Sequence, residues 1–127
     1  MSNSLSKVDP PDCREDLVRK AAAEVDFPSA FDWISDREAI RVTGDARNRG
    51  LTSSEIRELA RDWIVAGNRI RCIKENREGY RDRRHYHYDI VIENLDGFPR
   101  GLYVEMELFG TDEDTPTVNL LNAHPSS

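Results

Sequence analysis

At 127 residues, with 38% hydrophobic and 33% charged side chains, the chain has material for one core but not two, and it is polar without the composition of a disordered polymer. Its formal net charge of −6 opposes long-range attraction to a polyanion and excludes non-specific duplex binding as a main role. No apolar run approaches the about 18 residues of a membrane span, and the N-terminus lacks the apolar core of a signal peptide, so a cytoplasmic protein without membrane contact is expected.

Residues 1–11 are polar and end in Pro10-Pro11, which predicts a flexible tail, with 12–127 forming a single α+β domain. Asp12, with Glu15 three residues on, suits the start of a helix whose apolar stripe is Leu17, Val18, Ala21, Ala22 and Val25 and which ends before Pro28. Phe27, Phe31, Trp33 and Ile34 then form an aromatic cluster that should pin this helix to the core. A second helical stretch is expected from Ser35 or Asp36 to about Asn48, burying Ile40, Val42 and Ala46, with Gly50 as its stop. Thr52 and Glu55 form a capping box ahead of a third helix that places Ile56, Leu59, Ala60, Trp63 and Ile64 on one face and ends at Gly67.

Beyond Gly67 the apolar period falls from about 3.6 to 2, the spacing of half-buried strands. Strands are predicted over 69–75, 85–93, 101–109 and 117–124. Their connections are short and rich in Gly, Pro, Asp and Asn, which favours antiparallel turns over crossover helices. The fold class expected is therefore α+β, with N-terminal helices packed on one face of an antiparallel sheet of about four strands. Cys13 and Cys72 show no CxxC spacing and are expected to be a reduced, structural pair rather than a disulfide or a metal site.

The acidic chain turns basic between Asn68 and His87, where Arg69, Arg71, Lys74, Arg77, Arg81, Arg83 and Arg84 face only Glu75, Glu78 and Asp82, a local charge of +4. Arginine outnumbers lysine fifteen to three, and the planar guanidinium fork suits bidentate contact with phosphate or carboxylate. The motifs of phosphate loops, dinucleotide sites, nucleophile elbows and zincins are all missing. If Leu102, Val104, Met106 and Leu108 pack on the helices, then Tyr103, Glu105, Glu107 and Phe109 lie on the opposite face, where His85, His87 and Asp89 can join them. Histidine titrates near neutrality, so His85 and His87 could serve as acid and base, ligate a metal with Glu105 and Glu107, or simply sit exposed. A face holding His, Glu and Tyr with Arg83 and Arg84 at its rim suits RNA cleavage without metal, because a base takes the 2′-hydroxyl proton while arginines balance phosphate charge. Tyr86 and Tyr88 alternate with Ile90 and Ile92 and are assigned to the core.

The order of Asp45-Ala46-Arg47-Asn48-Arg49-Gly50-Leu51-Thr52-Ser53-Ser54-Glu55-Ile56, Tyr86-His87-Tyr88, Gly101 to Leu108 and Val118 to Pro125 resembles small ribonuclease toxins of the RelE, BrnT and MqsR type over roughly residues 40–125. The resemblance implies a RelE-like α+β endoribonuclease, one half of a toxin-antitoxin pair, with RNA as substrate and a cognate antitoxin or other protein as partner, and it requires no cofactor. A homodimer is also compatible. Carried over by position, it implies active-site residues at His87, at Arg83 and Arg84, and at His124 on the terminal strand. The combined expectation is His87, His85 and His124 as acid and base, Glu105 and Glu107 as candidate bases, and Arg77, Arg83 and Arg84 as the phosphate clamp, with no metal. Two departures stand out: related domains carry a histidine and an arginine where this chain has Arg41 and Asp45, and they are basic. Such departures fit a rival expectation, a non-catalytic protein-interaction module that uses the acidic C-terminal third and the arginine hairpin.

Overall fold

Leu17, Val18, Ala21 and Ala22 are all buried along helix α1 (Glu15–Ala23), the stripe expected of a helix lying on a sheet. The computed structural model describes residues 7, 9–110 and 112–127. Asp12 does not cap α1; the cap position is Arg14, with no side-chain cap, and its N–H is bound instead by the Tyr88 hydroxyl at 3.0 Å. Of the flexible tail expected over 1–11, residues 1–6 and 8 lie outside the described residues, while Asp9 is buried.

The aromatic cluster divides. Phe31 is fully buried in a short strand β1 (Phe31–Trp33), and the Trp33 indole N–H donates to the Ser53 carbonyl at 2.9 Å. Phe27, expected to anchor, is 60% exposed. Helix α2 (Asp36–Thr43) is capped by Ser35 and buries Val42 alone, leaving Ile40 exposed. It stops at Gly44, and a separate 3₁₀ turn (Ala46–Asn48) follows, capped by Asp45. The buried Asn48 amide donates to the carbonyls of Val42 and Ala123, tying the turn to the sheet. Helix α3 (Ser53–Val65) carries the full capping box and buries Ile56, Ala60 and Ile64.

Four further strands follow: β2 (Arg71–Lys74), β3 (Tyr86–Ile92), β4 (Leu102–Gly110) and β5 (Thr117–Pro125). The sheet is five-stranded and mixed, in the order β1-β5-β4-β3-β2, with β1 parallel to β5 and the other pairs antiparallel. This corrects the four-stranded antiparallel expectation. A three-residue strand is too short to show alternation, and parallel pairing needs a long crossover, which the helices between β1 and β5 and the meander supply. Tyr88, Ile90 and Ile92 of β3 join Leu102, Val104, Met106 and Leu108 of β4 in the core, with α1 packed on α3 and β5 and α3 on β1 and β3.

Cys13 and Cys72 form a disulfide with Cα atoms 6.2 Å apart, contrary to the reduced pair expected. The N-terminal segment runs beside β2 and brings together residues that their spacing of 59 does not relate. Among the described residues no helix is long and apolar enough to cross a membrane.

Candidate functional site

On the sheet face opposite the core, alternation places His87 and Asp89 of β3 beside Glu105 and Glu107 of β4. All four are buried, and carboxylates are not left buried without partners. Asp89 is held by Arg71 of β2, with Nε to Oδ1 at 2.6 Å and Nη2 to Oδ2 at 2.9 Å. The arginines that meet Glu105 and Glu107 come from residues 76–85, which connect β2 to β3 and fold in successive turns, with Tyr80 N–H donating to Arg77 O and Arg83 N–H to Tyr80 O. The arginine hairpin therefore covers the part of this face that holds His87, Glu105 and Glu107, while Asp89 and Tyr103 line a separate opening beside Arg71.

Glu75, immediately after β2, is the centre of the cluster. Arg77 grips it with Nε to Oε2 at 2.8 Å and Nη2 to Oε1 at 2.9 Å, and Nη2 also donates to Glu105 Oε2 at 2.7 Å. The buried Arg84 bridges Glu75, with Nε to Oε1 at 2.9 Å, and Glu107 through Nη1. Asn119 completes Glu107 by donating to Oε2 at 2.9 Å, and the Tyr103 hydroxyl donates to Glu105 Oε1 at 2.8 Å. The register makes this possible: Glu105 faces Asn122 and Glu107 faces Asn119, so β5 takes three steps where β4 takes two, a bulge that brings Asn119 to Glu107 while the Asn122 side chain accepts from Arg41.

Burial works against the Glu75 carboxylate, yet Arg77 and Arg84 outweigh it and hold the carboxyl down to about 2. At Glu105 burial is again opposed by Arg77 and the Tyr103 hydroxyl, leaving the carboxyl below its usual range. Burial, then the bond to Glu105, pushes the Tyr103 phenol well up. Both carboxylates are held ionised, with arginine bound to each and the His87 ring beside Glu75.

His87 Nδ1 lies 3.2 Å from Glu75 Oε1 and 3.3 Å from Arg77 Nη2. Nη2 already spends its two protons on Glu75 and Glu105, so Nδ1 cannot accept from it and instead carries the proton donated to Glu75. The lone pair is thereby assigned to Nε2, which bonds to no described residue. Tyr80 covers the cluster, its ring 5.5 Å from the Arg77 guanidinium carbon and 5.1 Å from that of Arg84. Beside it opens a cleft of about 290 Å³ whose lining includes Arg41, Arg83, Asn122 and Glu105. Arg83 is half-exposed, and its nearest carboxylate, Glu107, is 3.9 Å away, so it is the least committed guanidinium of the three expected in the clamp.

The structure thus gathers His87, Glu105, Glu107, Arg77 and Arg84 and sets Arg83 at the rim. His124 is stacked on Tyr103 at 4.8 Å, one step further along the same face, with Nδ1 bonded to the Pro125 carbonyl at 2.9 Å. His85 does not join them: it precedes β3, and its ring and backbone N–H bind Asp9 at 3.1 and 2.7 Å. A buried acid from the N-terminal segment thus claims it. Glu75 and Tyr80 are additions to the expected site. Glu75 was signalled by parity, since Ile73 pairs with His87 and residue 75 continues that face, whereas nothing in the sequence marks Tyr80. Among the described residues no three His, Cys, Asp or Glu side chains converge as a metal site requires. No family model, characterised protein or solved structure matches this chain.

Proposed function

We propose that this chain is a RelE-type endoribonuclease acting on single-stranded RNA, the toxin of a toxin-antitoxin pair. The observation that carries the reading is the hydrogen bond from His87 Nδ1 to Glu75, beside a cleft whose lining includes the half-exposed Arg83. A carboxylate behind one ring nitrogen fixes the tautomer and orients the imidazole. In the reaction, His87 Nε2 takes the 2′-hydroxyl proton and the freed oxygen attacks the adjacent phosphorus. Arg83 balances the added charge, and the 5′-oxygen departs with a proton from a water molecule. The products are a 2′,3′-cyclic phosphate and a 5′-hydroxyl. Tyr80, 44% exposed, offers a ring at the cleft mouth on which a base can stack. Induced expression should arrest bacterial growth with loss of messenger RNA, and His87→Ala should restore growth; intact RNA in cells expressing the unaltered chain would overturn the reading.

A second reading, a non-catalytic interaction module, is favoured by one observation: Glu75, Glu105 and Glu107 already satisfy Arg77 and Arg84, so the cluster is stable with no ligand. The disulfide favours an oxidising compartment over the cytoplasm expected from the sequence.

A further inference from the structure

Away from this cluster, a groove of about 500 Å³ runs between the 3₁₀ turn after α2 and the β3–β4 connection, with Arg47, Arg49 and Arg100 in its walls and no carboxylate in its lining. Most arginines of the chain hold an acid. Arg47 is paired with Asp45, but Arg49 and Arg100 are exposed and, among the described residues, neither makes an ion pair. In a chain of net charge −6, two unneutralised guanidinium groups lining one groove are a local reversal of sign. The floor is apolar, formed by Phe98, which is 3% exposed, with Pro99 and Pro125 beside it.

The groove is also preformed. Arg49 holds left-handed backbone at φ 57, a conformation that in a long side chain persists only where the surrounding structure fixes it, while Gly97 and Gly101 take φ 86 and 87 freely. Phe98 N–H donates to Leu95 O, Gly101 N–H to Phe98 O and Ser126 N–H to Gly101 O, closing the connection on itself and on the C-terminus. The Arg49 stem lies against Gly97, where an added Cβ would come within 3.5 Å of the Arg49 Cγ. Such a rigid site loses little order on binding.

We propose that this groove binds an acidic peptide segment of a protein partner, with carboxylates gripped by Arg49 and Arg100 and an apolar side chain seated on Pro99 and Pro125. The inference does not depend on the ribonuclease reading. Guanidinium forks match carboxylates two bonds at a time. A nucleic acid strand fits less well: the only aromatic ring in the lining is buried and cannot stack on a base, and the acidic whole repels a long polyanion. Short acidic stretches on a partner of ordinary charge meet no such barrier.

The test is a titration of the isotope-labelled full chain, followed by amide NMR, with three probes: a capped nonapeptide alternating glutamate and leucine, its glutamine counterpart, and a uridine hexanucleotide. The glutamate peptide should give saturable shifts at Gly97, Arg100, Gly101 and Ser126, and the other two should leave these amides in place. Arg49→Gln with Arg100→Gln should weaken the glutamate peptide by about tenfold or more; Arg100→Gln alone serves if the pair does not fold. No saturable response at these amides, an equal response to the glutamine peptide or to the oligonucleotide, or undiminished binding by a folded variant would overturn the proposal.

Discussion

Glu75 shows how a single side chain sets the chemistry around it. Its side chain is fully shielded, yet it accepts from two arginines and a histidine, so it fixes the guanidinium groups and the His87 tautomer together. Because its carboxyl is held at about 2, against an ordinary 4.5, the folded chain binds fewer protons there than the unfolded one. The stability it contributes is complete above about pH 4.5 and is lost as the pH falls toward 2. Glu75→Gln should therefore cost about 3 kcal/mol near neutrality by leaving buried arginine charge half-compensated. It should also flatten the acid limb, so that the urea midpoint falls less between pH 5 and pH 2.5 than it does in the unaltered chain. Measuring that midpoint across the range checks both parts.

Among the elements, β2 carries the most consequence for its length. Four residues long, it pairs with β3, leads directly into Glu75, and is tied through Cys72 to the segment ahead of α1. Closing a loop of about this size by a disulfide is worth about 2–4 kcal/mol, so replacing Cys13 and Cys72 by serine should lower stability by that amount in urea unfolding. The unaltered chain should lose the same amount on addition of dithiothreitol. The long elements were legible in the sequence because they repeat one physical signal many times: the capping box and stripe of α3, and the alternation of β3 and β4. The short ones were not. A three-residue strand leaves no period to read, and its parallel pairing with β5 depends on a long crossover. The end of α2 at Thr43 is set by packing, since the helix lays only Val42 on the core, so Ile40 matched a helical period without being buried. At the site, parity placed His87, Asp89, Glu105 and Glu107 on one face. The arginine hairpin lying down over that face, Asp9 drawing His85 away and the disulfide are all contacts between distant segments, which periodicity does not encode.

For the molecule as a whole, charge is sorted by place. Among the described residues of this −6 chain most arginines lie against carboxylates, and those that do not are Arg37, Arg69 and Arg81 with Arg49 and Arg100 in the groove beside Phe98. This distribution suits short-range recognition of a single phosphate or a short acidic segment, and it discourages the non-specific binding that a basic surface would invite. We propose that Glu75 positions His87 as the base of a transesterification on RNA. That role is tested most directly by incubating the purified chain with single-stranded RNA in the presence of EDTA and analysing the ends of any fragments. Fragments ending in 2′,3′-cyclic phosphate and 5′-hydroxyl are expected, with the rate reduced about 10²- to 10⁴-fold in a folded His87→Ala variant. Intact RNA, or cleavage that His87→Ala leaves unchanged, would contradict it.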